Sequence, residues 1–100
     1  MTNYQSGVRF ERERKAAYED LGYTVLRTAG SHGPYDLVCV REGYAVLLIQ
    51  CKLVKDETTA KRTYRQWVTP LPLDADRHYV QLLEIRIKGN TELYHYEANS

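Results

Sequence analysis

The chain has little cysteine, no long apolar run and almost no net charge, and each scarcity removes a class of explanation. Cys39 and Cys51 are the two cysteines, with no companions and no paired metal-ligand spacing. A disulfide scaffold or a thiolate metal site is therefore not indicated, and buried free thiols in a reducing compartment are expected. The longest apolar run, Ala45 to Ile49, is far too short to span a membrane, and no N-terminal stretch resembles a signal peptide. These absences point to a cytoplasmic protein without a membrane partner. There is no internal repeat, linker or low-complexity segment. A formal net charge of +1 says nothing about partners as a total. What remains, 43% apolar and 27% charged residues in a chain of 100, is the composition of one soluble folded domain over residues 1–100 with a modest core.

The elements follow from pattern. Residues 5 to 21 read as a helix with Phe10, Arg14, Ala17 and Leu21 along one stripe, Arg14 being its weak member. Gly22 stops it. Tyr23 to Arg27 reads as a strand. Thr28 to Tyr35 holds Gly30, Gly33 and Pro34, so it reads as a loop. Two apolar runs, from Asp36 to Val40 and from Tyr44 to Val54, flank the turn Arg41-Glu42-Gly43 and predict a β-hairpin. Asp56 to Val68 predicts a second helix with Ala60, Tyr64, Trp67 and Val68 on one face, ended by Pro70 and Pro72. Tyr79 to Lys88 and Thr91 to Tyr96 predict a second hairpin around Gly89-Asn90. The order is αβββαββ, an α/β fold with a mixed sheet flanked by helices.

The first hairpin carries chemistry. Pairing about its turn sets Asp36 opposite roughly residues 48 to 50. Alternation along a strand sends Gln50 and Lys52 to one face and Cys51 to the other. A carboxylate, an amide oxygen and an ammonium then converge at one end of the sheet, a hard-oxygen metal site with a cation beside it, of the kind phosphodiester hydrolysis uses. The ordinary alternatives are a turn-capping Asp and a strand-edge Lys; their convergence favours the site. Local charge alone favours the ordinary alternative, two solvated helix faces, yet its distribution is compatible with the site. Lys52, Lys55, Lys61, Arg62 and Arg65 fall within residues 52 to 65 against only Asp56 and Glu57, which suits nucleic acid better than a membrane. His32, in the Gly-containing loop, is a candidate base or phosphate contact, with a plain solvent-facing histidine as its alternative.

These residues in this order resemble the PD-(D/E)xK nuclease superfamily. Within it, Gly7-Val-Arg-Phe-Glu-Arg-Glu13, Leu21-Gly-Tyr, and Arg27-Thr-Ala-Gly-Ser31 are similar to the archaeal-type Holliday junction resolvases, over about residues 7 to 55. The resemblance implies a restriction-endonuclease-like fold. It makes Glu11 and Asp36 the acidic metal ligands and Lys52 the catalytic cation, and puts Arg12, Arg27 and Ser31 at DNA- and phosphate-facing positions. It also implies homodimers that use Mg²⁺, with Mn²⁺ as a substitute, to place paired nicks in four-way DNA. Gln50 and the backbone carbonyl of Cys51 are the further expected ligands. Gln50 stands where the family carries Glu, so the site has one negative charge fewer, and weaker metal affinity or a different ion preference is expected. Pro34 stands one residue earlier than the family's proline, with Tyr35 before Asp36. A general or branch-cleaving endonuclease, and a catalytically disabled nuclease-fold DNA-binding protein, are the alternative expectations.

Overall fold

The computed structural model describes residues 3–28 and 34–98. The element order is α1 (Asn3–Asp20), β1 (Thr24–Arg27), β2 (Leu37–Val40), β3 (Val46–Val54), α2 (Glu57–Arg65), β4 (Tyr79–Ile87) and β5 (Leu93–Glu97), the predicted αβββαββ. The five strands form one sheet in chain order. Only β3 and β4 are parallel, because α2 lies between them and carries the chain back to the same end; the other neighbours are antiparallel. This is a mixed sheet flanked by helices, as the sequence predicts.

Alternation along the strands divides the core between the two faces. On one, Phe10 and Tyr18 of α1 pack on Val25, Leu37, Cys39, Ile49, Cys51, Val80 and Leu82. On the other, Ala60 of α2 packs on Leu83 and Ile85, with Trp67, Tyr94 and Tyr96 around them. Leu37, Ile49, Leu83 and Ile85 are fully buried, and truncating such a side chain to alanine costs about 2–5 kcal/mol. Both cysteines are free and buried, and burial pushes the Cys39 thiol up to about 12.

The two helices depart from their predicted faces for one reason, where they stop. Leu21 lies beyond the end of α1 and is 60% exposed, so Tyr18 takes the place in the core that the stripe assigned to it. Gly22, at φ +96°, turns the chain there, and a Cβ on it would meet the Arg41 guanidinium at 3.2 Å. Arg41 donates to the Leu21 carbonyl at 2.7 Å and lies over the Tyr44 ring, tying the β2–β3 turn to the end of α1. In α2, Asp56 is not a helical residue but the N-cap, accepting the Thr59 N–H at 2.8 Å. The helix ends at Arg65, so Trp67 and Val68 leave the helical period. Val68 is 82% exposed, and the half-exposed Tyr64 stacks on Tyr96 instead of entering the core.

Candidate functional site

β2 begins at Leu37, opposite Ile49, so Asp36 stands at the strand entrance where the regular ladder stops. Its N–H donates to the Ile49 carbonyl at 2.9 Å. The next donor along β3, the Cys51 N–H, is taken by the Asp36 carboxylate, at 2.7 Å to Oδ2. A backbone amide therefore fixes the orientation of this carboxylate, as the predicted hairpin register requires. Asp36 is preceded by Tyr35, which is buried and donates its hydroxyl to Gln81 Oε1. Gln81 in turn exchanges hydrogen bonds with the Leu71 backbone, at 3.1 Å each way. The turn into Asp36 is thus clamped from β4.

Glu11 reaches the same region from α1. Its Oε1 accepts from Arg27 Nε at 3.1 Å. Burial, and then the neighbouring Asp36 charge, push the Glu11 carboxyl above its ordinary value; the Arg27 hydrogen bond opposes this without cancelling it. Burial also raises Asp36, against the Cys51 N–H and the Lys52 and Arg27 charges. Burial is the first cause at both carboxyls, and a bound cation would oppose it. Hard carboxylate oxygens in such a place fit a divalent cation.

Gln50 and Lys52 share a face, as alternation predicts, and line a cleft of about 440 Å³ with Thr63, Gln66, Trp67, Val68 and Leu83. Cys51 points the other way into the core. Arg27, expected to face DNA, has its Nε committed to Glu11. Arg12, Lys55, Lys61, Arg62 and Arg65 are exposed, Lys61 pairing with Glu57 at 3.4 Å. Ser31 and His32 lie outside the described residues.

Sequence reasoning missed a buried charge network behind the site. Glu84 on β4 is completely buried. It accepts from Arg14 Nε at 2.8 Å and from the Tyr18 hydroxyl at 2.7 Å, and its Oε2 lies 2.8 Å from His95 Nδ1. The available signals were an Arg in the apolar stripe of α1 and a Glu inside an apolar strand. A second acidic group, Asp74, Asp76 and His78, brings three ligating atoms within 4.8 Å of one another. There Asp74 already accepts backbone N–H groups from Asp76, His78 and Tyr79, so it serves to hold the turn before β4.

The family model of archaeal Holliday junction resolvases (Hjc) matches residues 2–65. A curated relative, the crossover junction endodeoxyribonuclease Hjc of Methanocaldococcus jannaschii, is 47% identical over 49 residues, 49% of this chain and 35% of its own length. The match therefore spans about a third of that relative. The solved structure of Archaeoglobus fulgidus Hjc, a Holliday junction resolvase, superposes with a TM-score of 0.58 at 21% identity, over 92% of this chain and 72% of that one. That superposition establishes the likeness of fold.

Proposed function

Because the chain belongs to the archaeal Holliday junction resolvase family, we propose that residues 1–100 act as one nuclease domain that hydrolyses DNA phosphodiesters at four-way junctions. The observation that carries this reading is the approach of Glu11 from α1 to Asp36 at the strand entrance, with Asp36 oriented by the Cys51 N–H at 2.7 Å and flanked by the Lys52 charge. Glu11, Asp36 and the Gln50 side-chain oxygen would hold Mg²⁺, with the Cys51 carbonyl as a further ligand. A divalent ion held there would polarise the phosphate and make a water more acidic. Lys52 stabilises the charge that develops on the phosphate oxygens. The exposed Arg12, Lys55, Lys61, Arg62 and Arg65, with Ser31 and His32 of the loop, grip the DNA backbone. Arg27 holds Glu11 through its Nε, and a cation at the site would compete with Arg27 for that carboxylate. Among the described residues no helix is long and apolar enough to cross a membrane, and the protein works on DNA in the cytoplasm.

The test is incubation of a synthetic four-way junction and a matched linear duplex with Mg²⁺, with Mn²⁺ and with chelator. Paired nicks confined to the junction support the proposal. Equal cutting of the duplex makes the protein a general endonuclease. The neutral Gln50 favours one second reading, a nuclease-fold DNA-binding protein with a disabled site, and binding without cutting under every metal supports that instead.

Gln50 also gives a graded expectation. Gln50→Glu restores the missing negative charge and lowers the Mg²⁺ concentration needed for half-maximal cleavage, whereas Gln50→Ala raises it. Superimposable metal titrations for both variants and the wild type remove Gln50 from the ligand set.

Paired nicking needs two sites, so the functional unit is a homodimer. Tyr64, Val68 and Leu73 are exposed around a groove beside α2 and β5, and this apolar surface is the candidate seam. A stable interface buries about 1,200–2,000 Å² in total, half of it from each protomer, against a protomer surface of 6566 Å². Sedimentation at micromolar concentration should report a dimer. A monomer there, with single uncoordinated nicks in a junction held in a supercoiled plasmid, overturns the paired mechanism.

A further inference from the structure

On the α1 face of the sheet lies a pocket of about 160 Å³ lined by Ser6, Arg9, Phe10, Glu13, Leu53, Arg86, Lys88 and Gly89. It forms where the first half of α1 crosses the ends of β3 and β4. Arg9, Arg86 and Lys88 face one carboxylate, Glu13, so the pocket is net positive. Arg86 is the fixed member. Its guanidinium lies 4.9 Å from the centre of the Phe10 ring and donates to Glu13 through Nη1. Its Nε–H is buried with no hydrogen-bond partner. That atom is closed to solvent, so a ligand in the pocket would meet the other N–H groups of the guanidinium. The ligand class that guanidinium and ammonium groups share is the phosphate oxyanion. The volume admits roughly five waters, or one phosphodiester group. Phe10 and Leu53 of the pocket are the chain neighbours of Glu11 and Lys52 of the candidate site, and no residue lines both.

We infer that this pocket binds a backbone phosphate of the DNA at a position other than the scissile one, with Arg9 and Lys88 closing over it and Arg86 fixed at its base. The inference rests on the nuclease reading for its substrate, but it is tested by binding without cleavage. Junction affinity is measured by fluorescence anisotropy in chelator across a salt series, for the wild type, Arg9→Gln, Lys88→Gln and the charge-matched control Lys15→Gln. Lys15 is on α1 and pairs with Glu19. Losing one phosphate contact reduces the slope of log affinity against log salt by about 0.9. Arg9→Gln and Lys88→Gln should each show that reduction and weaker binding at low salt, and Lys15→Gln should keep the wild-type slope. Equal slopes for all four proteins overturn the inference even where junctions are cut. The expected slopes in a protein that never cuts leave the pocket standing and remove the nuclease reading instead. Equal reductions in all three variants also overturn it, since the effect then comes from general charge.

Discussion

Asp36→Asn should lose metal-dependent cleavage by at least about 10²-fold while its affinity for a junction stays near wild type. The asparagine keeps an oxygen to accept the Cys51 N–H that now reaches Asp36 Oδ2 at 2.7 Å, so the hairpin entrance retains its geometry. It lacks the negative charge a divalent ion needs, and metal-assisted charge stabilisation is worth several kcal/mol, each 1.36 kcal/mol being tenfold in rate. Affinity comes mainly from phosphate contacts and is largely spared. A second readout separates a ligand from a merely structural residue. Burial raises the Asp36 carboxyl above its ordinary value. A carboxyl raised by folding contributes stability that is present below its unfolded value and lost as pH rises through its folded value, so at neutral pH the ionised group works against the fold. Asp36→Asn should therefore leave the metal-free protein as stable at pH 7 or more so, and abolish the rise in melting temperature that Mg²⁺ or Mn²⁺ gives the wild type. Full activity in this variant removes Asp36 from the site.

The hairpin part of the site was legible because it obeys short-range rules. A strand period of two separates Gln50 and Lys52 from Cys51, and a short turn fixes which residues meet Asp36; the Leu37–Ile49 pairing bears that out. The order of elements was legible for the same reason, since each segment carries its own period and its own stop. Helix faces were less legible, because a face is a property of length as well as period. Leu21 and Val68 satisfy the spacing of their helices but lie past the last turn, where the backbone no longer points them inward. Glu11 could not be separated from Glu13 by pattern alone. In the fold Glu11 meets Arg27, and Glu13 turns to Arg86.

Least legible were partners joined only by the tertiary fold. Arg14 and Glu84 are 70 residues apart, and Tyr35 and Gln81 are 46 apart. Each residue is conspicuous alone, as a polar group in an apolar pattern, yet nothing local names its partner. Those two contacts, with the Gly22–Arg41 approach, hold α1 and the β2–β3 hairpin in the relation that brings Glu11 to Asp36.

The larger stability effect should come from Glu84. Burial on its own would raise this carboxyl, but hydrogen bonds from Arg14, Tyr18 and His95 outweigh it and hold Glu84 below its ordinary 4.5. The group therefore contributes stability that is present above its unfolded value and drains away as pH falls through its folded value, so the protein should lose stability below about pH 4.5. Glu84→Ala removes the common acceptor and leaves the largely buried Arg14 without its counter-charge. Breaking one side of a buried pair costs about 3–5 kcal/mol, a large share of the roughly 5–15 kcal/mol that holds a domain of this size. The melting temperature should fall by at least about 12 °C. Replacing both partners, as Arg14→Met with Glu84→Leu, removes the stranded charge and should recover most of that loss, because apolar substitutes of similar volume are often neutral at such sites. Denaturant titrations of the two variants decide it. A cost under about 1 kcal/mol for Glu84→Ala, well short of the expected range, or a double variant no more stable than the single, means that the network does not hold α1 to the sheet.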